Sequence, residues 1–271
     1  MKPLAALGAR EMAKLKVVAF DLDDTLLTDG VLLPSVYSAL CALGESGYTL
    51  VAVTGRPLGY GEVLARLFPV AGVVVENGSL SIRRSAGGGL SAHDPVPDAE
   101  RHARRQALEA VVAAVRAAVP AARFSDDMPL RRSEITFDIG ERMHLPEDQI
   151  RTLIHTIESF GAWATRSSVH VHATFDRTNK AEGLLRFLRL IEPDLDQGAA
   201  RHRILFAGDS GNDAPCFSAF PCTVGVANVR RALASFSVPP RYVTAAEKGL
   251  GFLELANHLL QHRADPATAE A

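Results

Sequence analysis

Val17-Val18-Ala19-Phe20-Asp21-Leu22-Asp23-Asp24-Thr25-Leu26-Leu27 is the stretch from which the rest of the chain is read. An apolar run ends abruptly in three carboxylates and a hydroxyl. Such a run predicts a strand buried on both faces, the kind that builds parallel sheets. The C-terminal edge of an open α/β sheet is where ligands bind. Extended backbone there would turn Asp21 and Asp23 to one side and Asp24 to the other. Two carboxylates at the mouth of a buried strand repel unless a cation or a proton lies between them. Two plainer readings compete. Asp-rich segments often form turns, because Asp bonds its own backbone. A calcium loop is the other, but its sixth and twelfth positions, counted from Asp21, hold Leu26 and Leu32 instead of Gly and Glu.

The totals narrow the classes. A chain of 271 residues is one large or two modest domains, and its 47% apolar content supplies a core. A net charge of −2 speaks against a nucleic-acid binder driven by bulk electrostatics. Cys41, Cys216 and Cys222 form no CxxC pair and read as buried thiols of a reducing compartment. No apolar run is long enough to span a membrane, and the Leu4–Leu7 patch is too short for a signal-peptide core. A cytoplasmic protein is expected.

Working outward from the first strand, Pro34 opens a helix that ends at Gly44 or Gly47. Tyr48–Val53 is a second buried strand closed by Thr54-Gly55-Arg56-Pro57, and Val70–Val75 a third closed by Glu76-Asn77-Gly78. Asn77-Gly78 alone reads as a hairpin turn. The alternation predicts an α/β, doubly wound parallel-sheet core. After the small-residue stretch Ser85–Gly89 the order changes to helix (98–119), strand (122–125), strand (131–138), helix (146–160), strand (162–166) and strand (169–175). That is an inserted α+β cap domain. The expected division is a core of 14–81 plus 176–264, a cap of 82–175, and loose termini at 1–13 and 265–271, with hinges near 82–89 and 175–178. The cap segment holds as many Arg as Asp plus Glu, which leaves room for a local anion pocket but not a nucleic-acid stripe. Arg131-Arg132 reads as a solvated surface pair. A strand at Arg203–Ala207 then ends in Gly208-Asp209-Ser210-Gly211-Asn212-Asp213.

Three apolar runs thus end in chemistry at one sheet edge: Asp21/Asp23, Thr54, and Asp209 with Asn212 and Asp213. Oxygen-only ligands without a Cys or His cluster select a hard cation, Mg²⁺ being the expected one. It would relieve the repulsion between Asp21 and an incoming phosphoryl dianion. Thr54 and Lys180 are candidate donors to phosphoryl oxygens, although a Lys at a helix start is usually solvated. His170 and His172 share one strand face near the return to the core. Packing is the plain reading of the pair and substrate contact the sharper one.

The ordered set Asp21-Leu22-Asp23-Asp24-Thr25-Leu26-Leu27, Thr54-Gly55-Arg56, Lys180 and Gly208-Asp209-Ser210-Gly211-Asn212-Asp213 resembles the four motifs of the haloacid dehalogenase-like phosphohydrolases. With the insertion after the third strand, the chain looks like the branch with a large α/β cap, which includes sucrose-phosphate, mannosyl-phosphoglycerate and trehalose-phosphate phosphatases. Tyr242-Val243-Thr244-Ala245 and Gly249-Leu250-Gly251-Phe252 are similar to that branch as well. The resemblance implies that Asp21 is a nucleophile forming an aspartyl phosphate and that Asp23 is the acid and then the base. It implies Mg²⁺ held by the Asp21 and Asp209 carboxylates and the Asp23 carbonyl, with Asn212 and Asp213 orienting that shell. It places Thr54, Gly55, Arg56, Asn77, Lys180 and Asn212 against the substrate. The chain departs from the pattern at Ala181, where a Gly usually sits beside the Lys. The expected activity is hydrolysis of a small phosphorylated sugar or polyol. A phosphohexomutase or a non-catalytic phosphate-sensing module are the alternatives.

Overall fold

The computed structural model describes residues 1–85, 87–194 and 196–264. The strands in chain order are β1 (Lys2–Pro3), β2 (Val17–Phe20), β3 (Thr49–Val53), β4 (Gly72–Val75), β5 (Leu80–Arg84), β6 (Leu90–His93) and β7 (Arg123–Phe124). They continue with β8 (Glu134–Asp138), β9 (Trp163–Arg166), β10 (His170–Thr174), β11 (Ile204–Gly208), β12 (Cys222–Gly225) and β13 (Tyr242–Val243). The helices are α1 (Ala9–Met12), α2 (Pro34–Glu45), α3 (Leu58–Leu67), α4 (Asp98–Ala118), α5 (Glu147–Ser159), α6 (Lys180–Ile191), α7 (Gln197–Arg203), α8 (Ala214–Ala219) and α9 (Lys248–Ala264).

The large sheet runs β1-β13-β12-β11-β2-β3-β4-β5-β6 and is parallel from β1 to β4. Why β2 is a central strand follows from its residues. Val18 and Phe20 enter one hydrophobic cluster, under α2 and α9, and Val17 and Ala19 enter the opposite one, under α6 and α8. Leu50 and Ala52 against Val51 and Val53 on β3, and Leu205 and Ala207 against Ile204 and Phe206 on β11, divide in the same way. Period-two alternation with both faces apolar requires helices on both sides of the sheet. Connections lead from β2 through β3 to β4 on one side, and later to β11 on the other side of β2. The reversal of strand order therefore lies between β2 and β11, and Asp21 and Asp209 stand just past the ends of those two strands. Phe20 is in register with Ala207, and Asp21 N–H donates to the Ala207 carbonyl at 2.9 Å.

The cap is a four-stranded antiparallel sheet, β7-β8-β10-β9, with α4 and α5 packed on it over a separate apolar cluster that includes Leu108, Val111, Phe137, Leu153 and Val171. Two expectations about boundaries need correction. Ile82–Arg84 and Leu90–His93 belong to the large sheet: β5 pairs antiparallel with β4 (Val73 with Ile82), and β6 with β5 (Ile82 with Ala92). Ser85 N–H donates to the Gly89 carbonyl at 2.9 Å where β5 turns back to β6, and the chain first enters the cap after His93. The N-terminal segment is not loose either, because Lys2 pairs with Tyr242 and Leu4, Leu7 and Met12 are buried. Three apolar side chains there gain more by covering the end of the sheet than they lose in chain entropy. The terminus expected to be loose at 265–271 lies outside the described residues.

Candidate active site

Asp21 and Asp209 meet. Together with Asp213 they place one carboxylate oxygen each within 4.8 Å of one another, and all three are buried. The loop after β11 builds half of this cluster. Ser210 and Asp213 form a reciprocal cap on the helical turn Gly211–Asp213, and Asp213 Oδ2 accepts the N–H groups of Asp209 (2.9 Å) and Ser210 (3.0 Å). Gly208 makes that closeness possible, since a Cβ there would stand 2.5 Å from Asp213 Oδ2. Asp209 in turn accepts Thr25 Oγ1–H and Asn228 Nδ2–H, each at 2.9 Å.

Lys180 supplies the opposing charge. It is the first residue of α6, fully buried, and its Nζ donates to Asp21 Oδ1 and Asp213 Oδ1, both at 2.7 Å. A cation at a helix N-terminus opposes the helix dipole, so the two carboxylates are what hold it there. Asn179 caps the helix by accepting the N–H groups of Ala181 and Glu182. Lys180 is thus enclosed and paired, not solvated as a Lys at a helix start usually is. Gly78, at φ +103°, and Gly183 touch where α6 meets the Glu76–Gly78 turn, a contact that any Cβ would prevent. That contact seats the helix, and with it Lys180, against the strand ends. Asn77 also has positive φ (54°), as hairpin turns favour, and residues 76–79 are the loop joining β4 to the antiparallel β5, so the hairpin reading of Asn77-Gly78 holds with a four-residue loop.

The electrostatics follow from burial. Burial pushes the Asp21 carboxyl up to about 7; Lys180 pulls the other way, and Asp213 and Asp23 add to the rise. Burial, then Asp213 and Asp21, hold Asp209 well above the usual carboxylate range. Burial alone would depress Lys180, but Asp21 and Asp213 more than offset it and its affinity for a proton is raised. Three buried carboxylates thus cluster around one ammonium that pairs with two of them, Asp21 and Asp213. That donor set of buried oxygens fits a hard divalent cation.

Asp23 lies at the other side of the cluster, lining a narrow cavity with Asp21, Gly55, Arg56, Ser167, Ser168, His170, His172, Ser210 and Asn212. Its carboxylate is held by Arg56 in a two-point contact, Nε to Oδ2 at 2.9 Å and Nη2 to Oδ1 at 2.8 Å. The same guanidinium reaches the cap, at Glu141 Oε1 (2.9 Å) and Asp127 Oδ2 (3.4 Å). With its donors engaged by three carboxylates, Arg56 is arranged to fix Asp23 and the cap; as placed, it holds no free donor pair for a phosphate. Thr54 is fully buried, its Oγ1 accepting Arg56 N–H at 3.0 Å. Asn212 Nδ2 donates to Asn77 Oδ1 (3.0 Å), whose Nδ2 donates to Glu134 of the cap (3.3 Å). Asp24 is turned away by its positive φ (55°) and pairs with Lys248 at 3.0 Å. A larger cavity of about 820 Å³ opens beside the cluster, between Lys180, Asp209 and Asn212 of the core and Trp163–Ser168 of the cap.

Several residues at this site escaped the sequence reading. Thr25 lies inside the opening stretch but carried no assignment. Asn228 follows β12, a fourth strand ending at the same edge, and that position was the available signal. Arg131 is not a solvated residue: its buried guanidinium binds Asp127, Glu134 and the Gly55 carbonyl. Glu76 is likewise buried, accepting N–H groups from Leu58 of the core and from Arg132 and Ser133 of the cap. The contacts that cross between core and cap, Arg131 to Gly55 and Glu76 to Arg132 and Ser133, join residues far apart in sequence and have no spacing by which to find them.

No family model and no curated protein matches the chain by sequence. Its structure does match solved ones. The sucrose-phosphatase of Synechocystis, solved with sucrose and phosphate, is 18% identical at a TM-score of 0.63, covering 91% of this chain and 98% of that one. A phosphatase of the haloalkanoate (HAD) superfamily from Bacteroides thetaiotaomicron is 19% identical at 0.60, covering 90% and 95%. The fold is the haloacid dehalogenase one. The C-terminal domain of trehalose-6-phosphate phosphatase from C. albicans shares it at a TM-score of 0.69 with 14% identity, over 96% of this chain and 98% of that one. Core and cap are both included in these spans. The haloacid dehalogenase fold thus accounts for the strand reversal between β2 and β11 and for the inserted cap.

Proposed function

We propose that this protein is a Mg²⁺-dependent phosphatase acting on a small phosphorylated sugar or polyol. The observation that carries the reading is the meeting of Asp21, Asp209 and Asp213 around Lys180 at the strand reversal. Asp21 and Asp209 would hold the metal, with the Asp23 carbonyl, and Asp213 would orient Asp209 and Lys180. When bound, the cation neutralises charge on the phosphoryl oxygens.

Asp21 attacks phosphorus with one carboxylate oxygen while Lys180 holds the other. As the new O–P bond forms, the ester P–O bond breaks and Asp23 gives its proton to the departing alcohol oxygen. Asp23, now a carboxylate, takes a proton from the water that attacks the aspartyl phosphate. The Asp21–phosphorus bond then breaks, releasing inorganic phosphate and restoring both side chains. Arg56 keeps Asp23 pointed at the narrow cavity throughout. Support for the substrate class comes from the fold shared with the sucrose-phosphatase and the trehalose-6-phosphate phosphatase domain, and from the polar lining of Ser167, Ser168, His170, His172 and Asn212.

A phosphate-release assay across sugar and polyol phosphates in Mg²⁺ is expected to show turnover that is abolished in Asp21→Asn. Full turnover in that variant, or none in the wild type on any phosphate ester, refutes the proposal.

A further inference from the structure

His172 presents a buried acceptor that none of the described residues satisfies. Its ring lies on β10 at 1% exposure, and its Nδ1 is 2.8 Å from Glu134 Oε1 and 3.3 Å from Thr136 Oγ1. Among the described residues, Nε2 has no hydrogen-bond partner. A buried polar atom left bare costs free energy, and its persistence calls for a ligand. Glu134 is held as a carboxylate: burial would favour its neutral form, but His172 and Arg131 more than compensate. A carboxylate only accepts, so Nδ1 of His172 must be the donor. Burial, only partly offset by Glu134, disfavours a second proton on the ring. Nε2 is then a lone pair.

The placement of that lone pair is fixed. The ring stands over Gly55, where a Cβ would come within 3.1 Å of His172 Cε1. It lines the narrow cavity with Asp21 and Asp23, the nucleophile and the proton donor of the proposed reaction. From Glu134 the hydrogen-bond chain continues through Asn77 and Asn212 to Ser210 in the core. His172 is therefore held on the lining of that cavity by groups from both domains.

We propose that His172 determines specificity: its Nε2 accepts a hydrogen bond from a hydroxyl of the substrate's alcohol portion, near the ester oxygen. The inference rests on the phosphatase reading and deepens it. It restricts the substrate to phosphate esters whose alcohol carries a further hydroxyl within a few bonds of the phosphate, as sugars and polyols do and plain alkyl alcohols do not.

The test compares glycerol 1-phosphate with propyl phosphate, which differ only in two hydroxyls. The wild type is expected to prefer glycerol 1-phosphate in kcat/KM, and His172→Phe to cut that preference roughly tenfold, the scale of one hydrogen bond to a neutral partner. His172→Gln, whose amide oxygen can stand near the Nε2 position, is expected to retain more of the preference than His172→Phe. A purely structural role would lower both substrates alike, and an unchanged ratio in His172→Phe overturns the inference. A second arm needs neither turnover nor a His172 variant: the ¹⁵N resonance of His172 Nε2 is followed in Asp21→Asn. It should move with glycerol 1-phosphate and not with propyl phosphate; equal or absent shifts overturn the inference. Failure of the phosphatase reading shows separately, as no phosphate release from any ester by the wild type.

Discussion

Replacing Lys180 by Met removes an ammonium that is wholly enclosed and leaves Asp21 and Asp213 facing each other beside Asp209. Met matches the side chain's length, so the change is one of charge more than of packing. Deleting one partner of a buried ion pair costs about 3–5 kcal/mol, because the orphaned charge stays in a dry site. With a urea dependence of about 2–3 kcal/mol per molar, the unfolding midpoint should fall by about 1–2 M. The pH dependence follows from the carboxyls. Asp21 already has a folded-state pKa near 7, above its ordinary value of 3.8, and losing Lys180 raises it further. A carboxyl raised on folding binds more protons in the native than in the unfolded state between those two values. Its penalty therefore grows as pH rises from about 4 through the folded value, and is relieved on acidification. The assay is urea unfolding followed by far-ultraviolet circular dichroism in chelator, at pH 5 and pH 8, for wild type and Lys180→Met. The variant's deficit should be several kcal/mol at pH 8 and clearly smaller at pH 5. A deficit below about 1 kcal/mol at pH 8, or one equal at both pH values, refutes the electrostatic account.

Three further outcomes are expected. Mg²⁺ should bind more tightly as pH rises toward and past 7, because protons on the Asp21 and Asp209 carboxyls compete with the cation; calorimetry in two buffers of different ionisation enthalpy should show proton release at pH 6. Arg56→Lys cannot reproduce the two-point grip on Asp23 and should lower kcat about tenfold with little recovery, measured by phosphate release at saturating substrate. Gly208→Ala would push a methyl into Asp213 Oδ2 and break its bonds to Asp209 and Ser210, costing about 2 kcal/mol or more in chemical unfolding and weakening Mg²⁺ binding in parallel.

What the chain discloses on reading is local. Val17–Phe20 carries its own argument, since an all-apolar run fits only a strand covered on both faces, and the carboxylates that follow it fall at the sheet edge. The run before Gly208 works the same way, which is why Asp21 and Asp209 could be expected to meet. The cap's helices and strands were legible from periodicity. Its first boundary was not, because a small-residue stretch such as Ser85–Gly89 looks alike as a linker or as a hairpin; only pairing of β5 and β6 with the sheet separates the two. Arg131 and Glu76 were misjudged or missed for another reason. Charged residues are usually solvated, and here Glu76 is enclosed by N–H groups of the cap, while Arg131 is buried between Asp127 and Glu134 of its own domain and the Gly55 carbonyl of the core. Lys180 sits between these cases: its type and position were suggestive, but its burial depends on Gly78 and Gly183 letting α6 approach the Glu76–Gly78 turn.

Where core and cap meet, the seam is stitched by polar contacts: Arg56 to Asp127 and Glu141, Arg131 to the Gly55 carbonyl, Asn77 to Glu134, and Arg132 and Ser133 to Glu76. Parting such a seam uncovers groups that water welcomes, so an unlatched molecule shows little greasy surface and need not clump. It also makes the latch responsive to the ionic medium, since counter-ions screen these pairs once water enters. Traffic of substrate and product through the mouth of the site would then quicken or slow with ambient salt, while the apolar interiors of the two lobes hold fast.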